Sequence, residues 1–152
     1  MRTKLVECWI FRQRDHDLEF LLLHRTPQKG GFWQPPCGGI ETDDSTILEG
    51  ALRELREEVS IDKKQIKRVL ENVFYFTIDK HYLTGNPITP QEEFVLGFEV
   101  DQDCPISISH NIDKEHDCFK WVNFDKALQL LKWENNKDAL KKLHDLLMHK
   151  PS

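Results

Sequence analysis

Residues 46–59, TILEGALRELREEV, carry two patterns on one helical repeat. Leu48, Leu52, Leu55 and Val59 fall at i, i+4, i+7 and i+11 and form one apolar stripe. Glu54, Glu57 and Glu58 fall at i, i+3 and i+4. At about 100° per residue they share an arc of roughly 100°, centred about 130° from the stripe. A helix built this way has to lie against another layer of structure, with its acidic flank at the margin of the core. Its start is marked as well: Asp43-Asp44-Ser45-Thr46 offers N-cap residues, and Thr46 with Glu49 fits a capping box. Carboxylates this close repel one another unless a cation sits among them, and hard oxygen ligands favour Mg²⁺ or Mn²⁺. On an exposed helix the same residues, Arg53 to Glu58, would simply pair with one another. The surrounding sequence therefore decides.

That sequence alternates strands with Gly/Pro-rich loops. Val6 to Phe11 and Leu18 to His24 read as strands joined by the polar turn RQRDHD. Residues 26–45 show neither helical nor strand periodicity and are expected to be loop. Within them, Gly38-Gly39 allows a close backbone approach to a phosphate or a bound ion. Further strands are expected around 73–77, at 94–100 and at 118–122, with loops at 80–91 and 101–116. Two helices close the chain, one starting at Asn123 or Asp125 and one at Asn135 or Asn136. This order predicts an α/β fold with helices covering a mixed sheet, in one domain spanning 1–152.

Composition narrows the function. A formal net charge of −5 argues against a stable nucleic-acid surface but not against a nucleotide substrate. No apolar run approaches the roughly 20 residues of a membrane span, and the N-terminus lacks the apolar stretch of a signal peptide, so a cytoplasmic protein is expected. Cys8, Cys37, Cys104 and Cys118 contain no CxxC pair. Cys104, His110, His116 and Cys118 could in principle ligate zinc, but their spacing does not fit structural zinc modules.

Gly39, Arg53, Glu54, Leu55, Glu57, Glu58 and Ile61 match, with spacing intact, the Gly…Arg-Glu-aliphatic-x-Glu-Glu-x-x-aliphatic skeleton of the Nudix box. The segment thus resembles the Nudix hydrolase family. The strand 21–25 and the Phe32-Trp33-Gln34-Pro35-Pro36 run before the glycines are similar to that family too. Two positions depart from its pattern. The first Glu of the box falls at Ser45, unless Gly38 is the motif glycine and Asp44 serves with one residue inserted. The last Gly is Ser60, which leaves the helix end without its usual glycine. The resemblance implies a Nudix-type α/β/α sandwich whose box forms a loop–helix–loop, with Glu54, Glu57 and Glu58 holding Mg²⁺ (or Mn²⁺).

In that light Glu57, Glu58, Arg53 and Glu115 are the expected catalytic residues. Arg53 would orient the Glu57 carboxylate. Glu115 would be a further ligand or the base, with Asp117 as its understudy and Glu92 and Glu93 as other candidates. Arg25, Gly38, Gly39 and Phe32 are the expected substrate contacts: Arg25 suits phosphate oxygens, Phe32 could stack on a base, and Trp33 is assigned to the core. Glu115-His116, Lys120-Trp121, Leu131-Lys132-Trp133 and Asn136-Lys137 resemble a bacterial Nudix subgroup associated with dihydroneopterin triphosphate and dATP. The implied activity is Mg-dependent cleavage of a nucleoside or pterin triphosphate to monophosphate and pyrophosphate. Rival expectations are hydrolysis of a dinucleoside polyphosphate or nucleotide sugar, and a nucleotide-sensing module without turnover. The expected partner is a small phosphorylated molecule, with the chain a monomer or homodimer.

Overall fold

The computed structural model describes residues 3–108 and 115–149. Among them, seven strands form one mixed sheet: β1 Lys4–Arg14, β2 Asp17–Arg25, β3 Trp33–Gln34, β4 Cys37–Gly39, β5 Ile66–Lys80, β6 Pro87–Val100 and β7 His116–Val122. The main path runs β3-β2-β1-β6-β5, with β4 paired to β1 and β7 to β2. The β1–β6 pair is parallel and the other pairs are antiparallel. Three helices, α1 Ile47–Val59, α2 Phe124–Leu130 and α3 Glu134–Met148, cover the two faces.

Alternation along the strands builds two cores. Val6, Cys8 and Ile10 of β1 join Leu21, Leu23, Leu96 and Phe98 beneath Ala51, Leu55 and Val59 of α1. Trp9 and Phe11 point the other way and pack with Phe20, Leu22 and Val95 against Ala139, Leu140, Leu143 and Leu147 of α3. Period-2 strands between helices on both sides produce this α/β/α sandwich. At Gly97 a Cβ would come within 2.9 Å of Leu143 Cδ1, so the missing side chain lets α3 approach the sheet.

Several boundaries differ from the sequence reading. The RQRDHD turn shrinks to Asp15-His16, both at positive φ, because β1 and β2 extend into it and close as a two-residue hairpin. Residues 26–45 are not all loop: two short strands, β3 and β4, pair with β2 and β1. They are too short for periodicity to register. β6 starts at Pro87 rather than Phe94, and its Pro-containing end pairs with β5 but lies outside the β1 pairing, which begins at Glu92. Proline is tolerated there because one side of the strand needs no N–H donor. Thr46 does cap α1 by accepting from Glu49 N, but the Glu49 carboxylate turns back to Ser45 N and Oγ. Ser60 itself takes the left-handed conformation at the end of α1 (φ 61°), and its N–H bonds to Leu55 O. Neither Asn135 nor Asn136 caps α3, which starts after Trp133.

Candidate active site

The preceding loop and α1 are joined through Arg53. Its guanidinium donates to both oxygens of Asp44 (3.2 and 2.9 Å), to Gly39 O (2.8 Å), to Glu54 Oε1 (3.0 Å) and to Glu57 Oε2 (3.1 Å). Glu41 lies 3.7 Å away. Asp44 thus receives the planar fork of Arg53 and also accepts from Glu41 N, whereas Ser45 bonds to Glu49. The pairing to Asp44 holds the Arg53 guanidinium well above its ordinary pKa.

The three helix carboxylates do not share one environment. Glu57 is exposed and tied to Arg53. Glu54 is 4% exposed and Glu58 7%, because α1 turns its buried side toward Ala51, Glu54, Leu55 and Glu58, while Leu48 and Leu52 are only half-buried. The Glu54 carboxyl sits against the backbone of Gly38, where any Cβ would overlap it. Burial pushes the Glu54 pKa from 4.5 to about 7; Arg53 opposes this, and Glu58 and Glu57 add to it.

Across from α1, His116 at the start of β7 brings its Nδ1 to 3.4 Å from Glu58 Oε2. That nitrogen is buried and makes no hydrogen bond among the described residues. The other ring nitrogen lies 3.1 Å from Gln34 Nε2. Glu58, Glu115 and His116 can each turn a ligand atom to within 4.8 Å of the others. Asp117 points elsewhere, its carboxylate 2.9 Å from His24 Nδ1 and held below the ordinary range chiefly by that bond.

Beside these groups opens a cleft of about 810 Å³, lined among others by Arg25, Phe32, Gln34, Cys37, Tyr82, Glu93, Trp133 and Asn136. Phe32 meets Tyr82 and Trp133 edge-on, at 5.9 and 5.4 Å between centroids. Arg25 lies over Phe32 and Tyr82 and donates to Lys29 O and Tyr82 Oη. Trp33 packs against the α2/α3-side core and tilts over His24 at 4.9 Å.

The structure therefore brings Gly38, Gly39, Arg53, Glu54 and Glu57 into one contact network, sets Glu58 beside Glu115 and His116, and puts Arg25 and Phe32 in the adjoining cleft. Glu92 is not in this group; it accepts from Tyr75 Oη. The zinc set is dispersed: Cys118 groups with His24 and Asp117, His116 groups with Glu58 and Glu115, and His110 lies outside the described residues. Sequence reasoning named Glu93 as a candidate but missed Glu7, which joins it in a buried polar cluster at the cleft. Glu7 accepts from Trp9 Nε1 (2.7 Å) and Asn136 Nδ2 (2.8 Å), and it pairs with Glu93. A signal existed: Glu7 shares the parity of Trp9 and Phe11, so a strand there had to turn it inward.

A cation fits this donor set. The carboxylates of Glu41, Asp44, Glu54 and Glu57 gather round the Arg53 guanidinium. Glu58 and Glu115 add hard oxygen donors, and among the described residues the buried His116 Nδ1 has no hydrogen-bond partner.

The NUDIX domain model matches residues 1–143, and the chain belongs to that family. Among curated relatives it is 29% identical over 142 residues to an octanoyltransferase of Myxococcus xanthus, covering 93% of this chain and 36% of that protein. It is 31% identical over 111 residues to phosphatase NudJ of Escherichia coli, covering 73% and 64%. The chain thus spans less than two-thirds of the length of either relative. Among solved structures, the C. elegans Ap4A hydrolase binary complex superposes with a TM-score of 0.78 at 23% identity, covering 97% of this chain and 99% of that one. The E. coli dihydroneopterin triphosphate pyrophosphohydrolase gives 0.74 at 22%, covering 98% and 97%. At these identities the likeness is one of fold. No helix among the described residues is long and apolar enough to cross a membrane.

Proposed function

We propose that the chain is a pyrophosphohydrolase that cleaves a nucleoside (dATP-like) or pterin triphosphate to its monophosphate and pyrophosphate. The observation that carries this reading is the meeting of two features: buried carboxylates converging around Glu54 and Glu58, and an aromatic cleft wide enough for a fused heterocycle directly beside them. Glu54, Glu57 and Glu58 would hold Mg²⁺ or Mn²⁺. When bound, such an ion supplies charge neutralisation for the phosphate chain.

The chain's own residues do the rest. Arg53 fixes Glu54 and Glu57 and ties them to the loop through Gly39 O and Asp44. Gly38 leaves room for the Glu54 carboxyl. Arg25, at the cleft wall, orients phosphate oxygens with its planar fork. Glu115 takes the proton of the attacking water as its oxygen bonds to phosphorus; the bridging P–O bond breaks and pyrophosphate leaves. Gln34 and His116 link the cleft to Glu58.

Incubation with a nucleotide and pterin panel and Mg²⁺, followed by phosphorus NMR, tests the reading. Pyrophosphate release supports it. Other products place the chain with enzymes of dinucleoside polyphosphates or nucleotide sugars, and tight binding without turnover makes it a sensing module.

A further inference from the structure

His24, Asp117 and Cys118 gather where β7 bulges against β2. His24 pairs with Cys118 and Arg25 with His116, so Asp117 is the extra residue of the bulge. A bulge re-aims the side chains of its strand. Here His116 turns toward Glu58 of α1, whereas the Asp117 carboxylate meets His24 Nδ1 at 2.9 Å. Cys118, directly opposite His24, shares its face of the sheet. One ligand atom from each of the three lies within 4.8 Å of the others. We propose that this cluster is a second metal site, separate from the acidic flank of α1, that takes Zn²⁺ or an ion of similar softness.

The donor set decides the class of ion. An imidazole nitrogen, a carboxylate oxygen and a thiolate sulfur are the ligand types of Zn²⁺, whereas Mg²⁺ takes oxygen donors. In a tetrahedral zinc site, bonds of about 2.0–2.3 Å put neighbouring donors about 3.3–3.5 Å apart. Side-chain rotations therefore close the set without moving the backbone, which the pairing of β2 with β7 holds. The Trp33 ring, 4.9 Å from the His24 ring, restrains the imidazole. Asp117 and Cys118 are exposed, so the fourth position of the ion faces water. As the metal–sulfur bond forms, the Cys118 thiol gives its proton to solvent. Among the described residues no other cysteine stands with two further ligands.

The test is titration of the chelator-treated full chain with Co²⁺, a coloured stand-in for Zn²⁺, with millimolar Mg²⁺ present to compete for the α1 carboxylates. A thiolate-to-cobalt charge-transfer band in the near ultraviolet is expected to saturate at one ion per chain, and an equivalent of Zn²⁺ should abolish it. Cys118→Ser should remove the band, whereas Cys104→Ser, which leaves the cluster intact, should keep it. His24→Gln and Asp117→Asn should each weaken Zn²⁺ binding by about tenfold or more in calorimetry, with circular dichroism as the check on folding. No band in the wild type, a band that persists in Cys118→Ser, or unchanged Zn²⁺ affinity in both His24→Gln and Asp117→Asn would overturn the proposal.

Discussion

Glu54 makes the most quantitative prediction, because its environment fixes both the sign and the size of an effect. Burial against Gly38 raises its pKa from 4.5 to about 7 in the folded protein. An unfolded chain returns it to the ordinary value. Between those two pH values the folded state therefore holds a proton that the unfolded state has released. Glu54's contribution to stability is complete below about pH 4.5 and is lost as pH rises through about 7. At about 1.4 kcal/mol per pH unit, the full loss is about 3 kcal/mol. Glutamine has the shape of the protonated acid and no charge to desolvate. Glu54→Gln should thus match the wild type near pH 4.5 and exceed it by about 3 kcal/mol near pH 9, with metal chelated throughout. Urea denaturation of both proteins across that range measures the difference, and taking the difference cancels the titration of Glu7 and Glu93. Added Mg²⁺ should close the gap at high pH, because an ion held by Glu54 favours the charged form. Its apparent affinity should fall about tenfold per pH unit below 7, since one proton must leave. A stability difference that stays flat from pH 5 to 9 would refute the reasoning.

Other substitutions probe separate parts of the site. Glu57→Gln and Glu58→Gln should each lower turnover of the accepted triphosphate by about two orders of magnitude or more while leaving the circular dichroism spectrum unchanged; near-normal rates in both would remove the metal-site assignment. Gly38→Ala forces a methyl into the Glu54 carboxyl and should cost about 1–3 kcal/mol in chemical denaturation, together with loss of Mg²⁺ affinity by calorimetry. Ser60→Gly should stabilise the chain by about 1 kcal/mol, because Ser60 holds a left-handed backbone that glycine adopts without strain. Asn136→Leu withdraws the amide donor from buried Glu7 and should lower stability by about 2 kcal/mol in thermal melts.

Helix α1 was legible in the sequence because its information is local. Spacing alone separates an apolar stripe from an acidic flank, and Thr46 marks the start that the structure uses. Helices covering a mixed sheet followed from the mixture of strands and helices along the chain, and the resemblance to the family implied the sandwich; the alternation of β1 and β2 between the two cores is how the structure builds it. What stayed hidden depends on contacts far apart in the chain. The bond between Asn136 and Glu7 joins residues 129 positions apart, and no local rule distinguishes a buried Asn in the first turn of α3 from a helix cap. β3 and β4 were invisible because two or three residues carry no period, although they place Gln34 and Gly38 at the site. The identity of the residue facing Arg53 turned on a one-residue choice in the loop, and the bidentate bond to Asp44 makes it.

The distribution of charge explains why these acids are kept in costly positions. Glu54, Glu7 and Glu93 are all raised by burial, so each destabilises the folded chain as pH climbs. A sequence shaped for stability alone would replace them with apolar residues of similar volume. Their cost is confined to one side of the molecule: Glu54 sits where α1 meets β4, and the Glu7–Glu93 pair lies between β1 and β6 at the neighbouring cleft. Gln34, which lines the same cleft as Glu93, bonds to His116, and His116 meets Glu58 one turn along α1 from Glu54, so the acids of α1 and the buried pair adjoin one cleft. A phosphate chain that brings a metal ion relieves the cost at α1, because the ion favours the charged form of the carboxyls that hold it. Mg²⁺ with a non-hydrolysable triphosphate should therefore raise the melting temperature by more than the sum of the two added separately, and strict additivity would show that the ion and the phosphate chain bind independently.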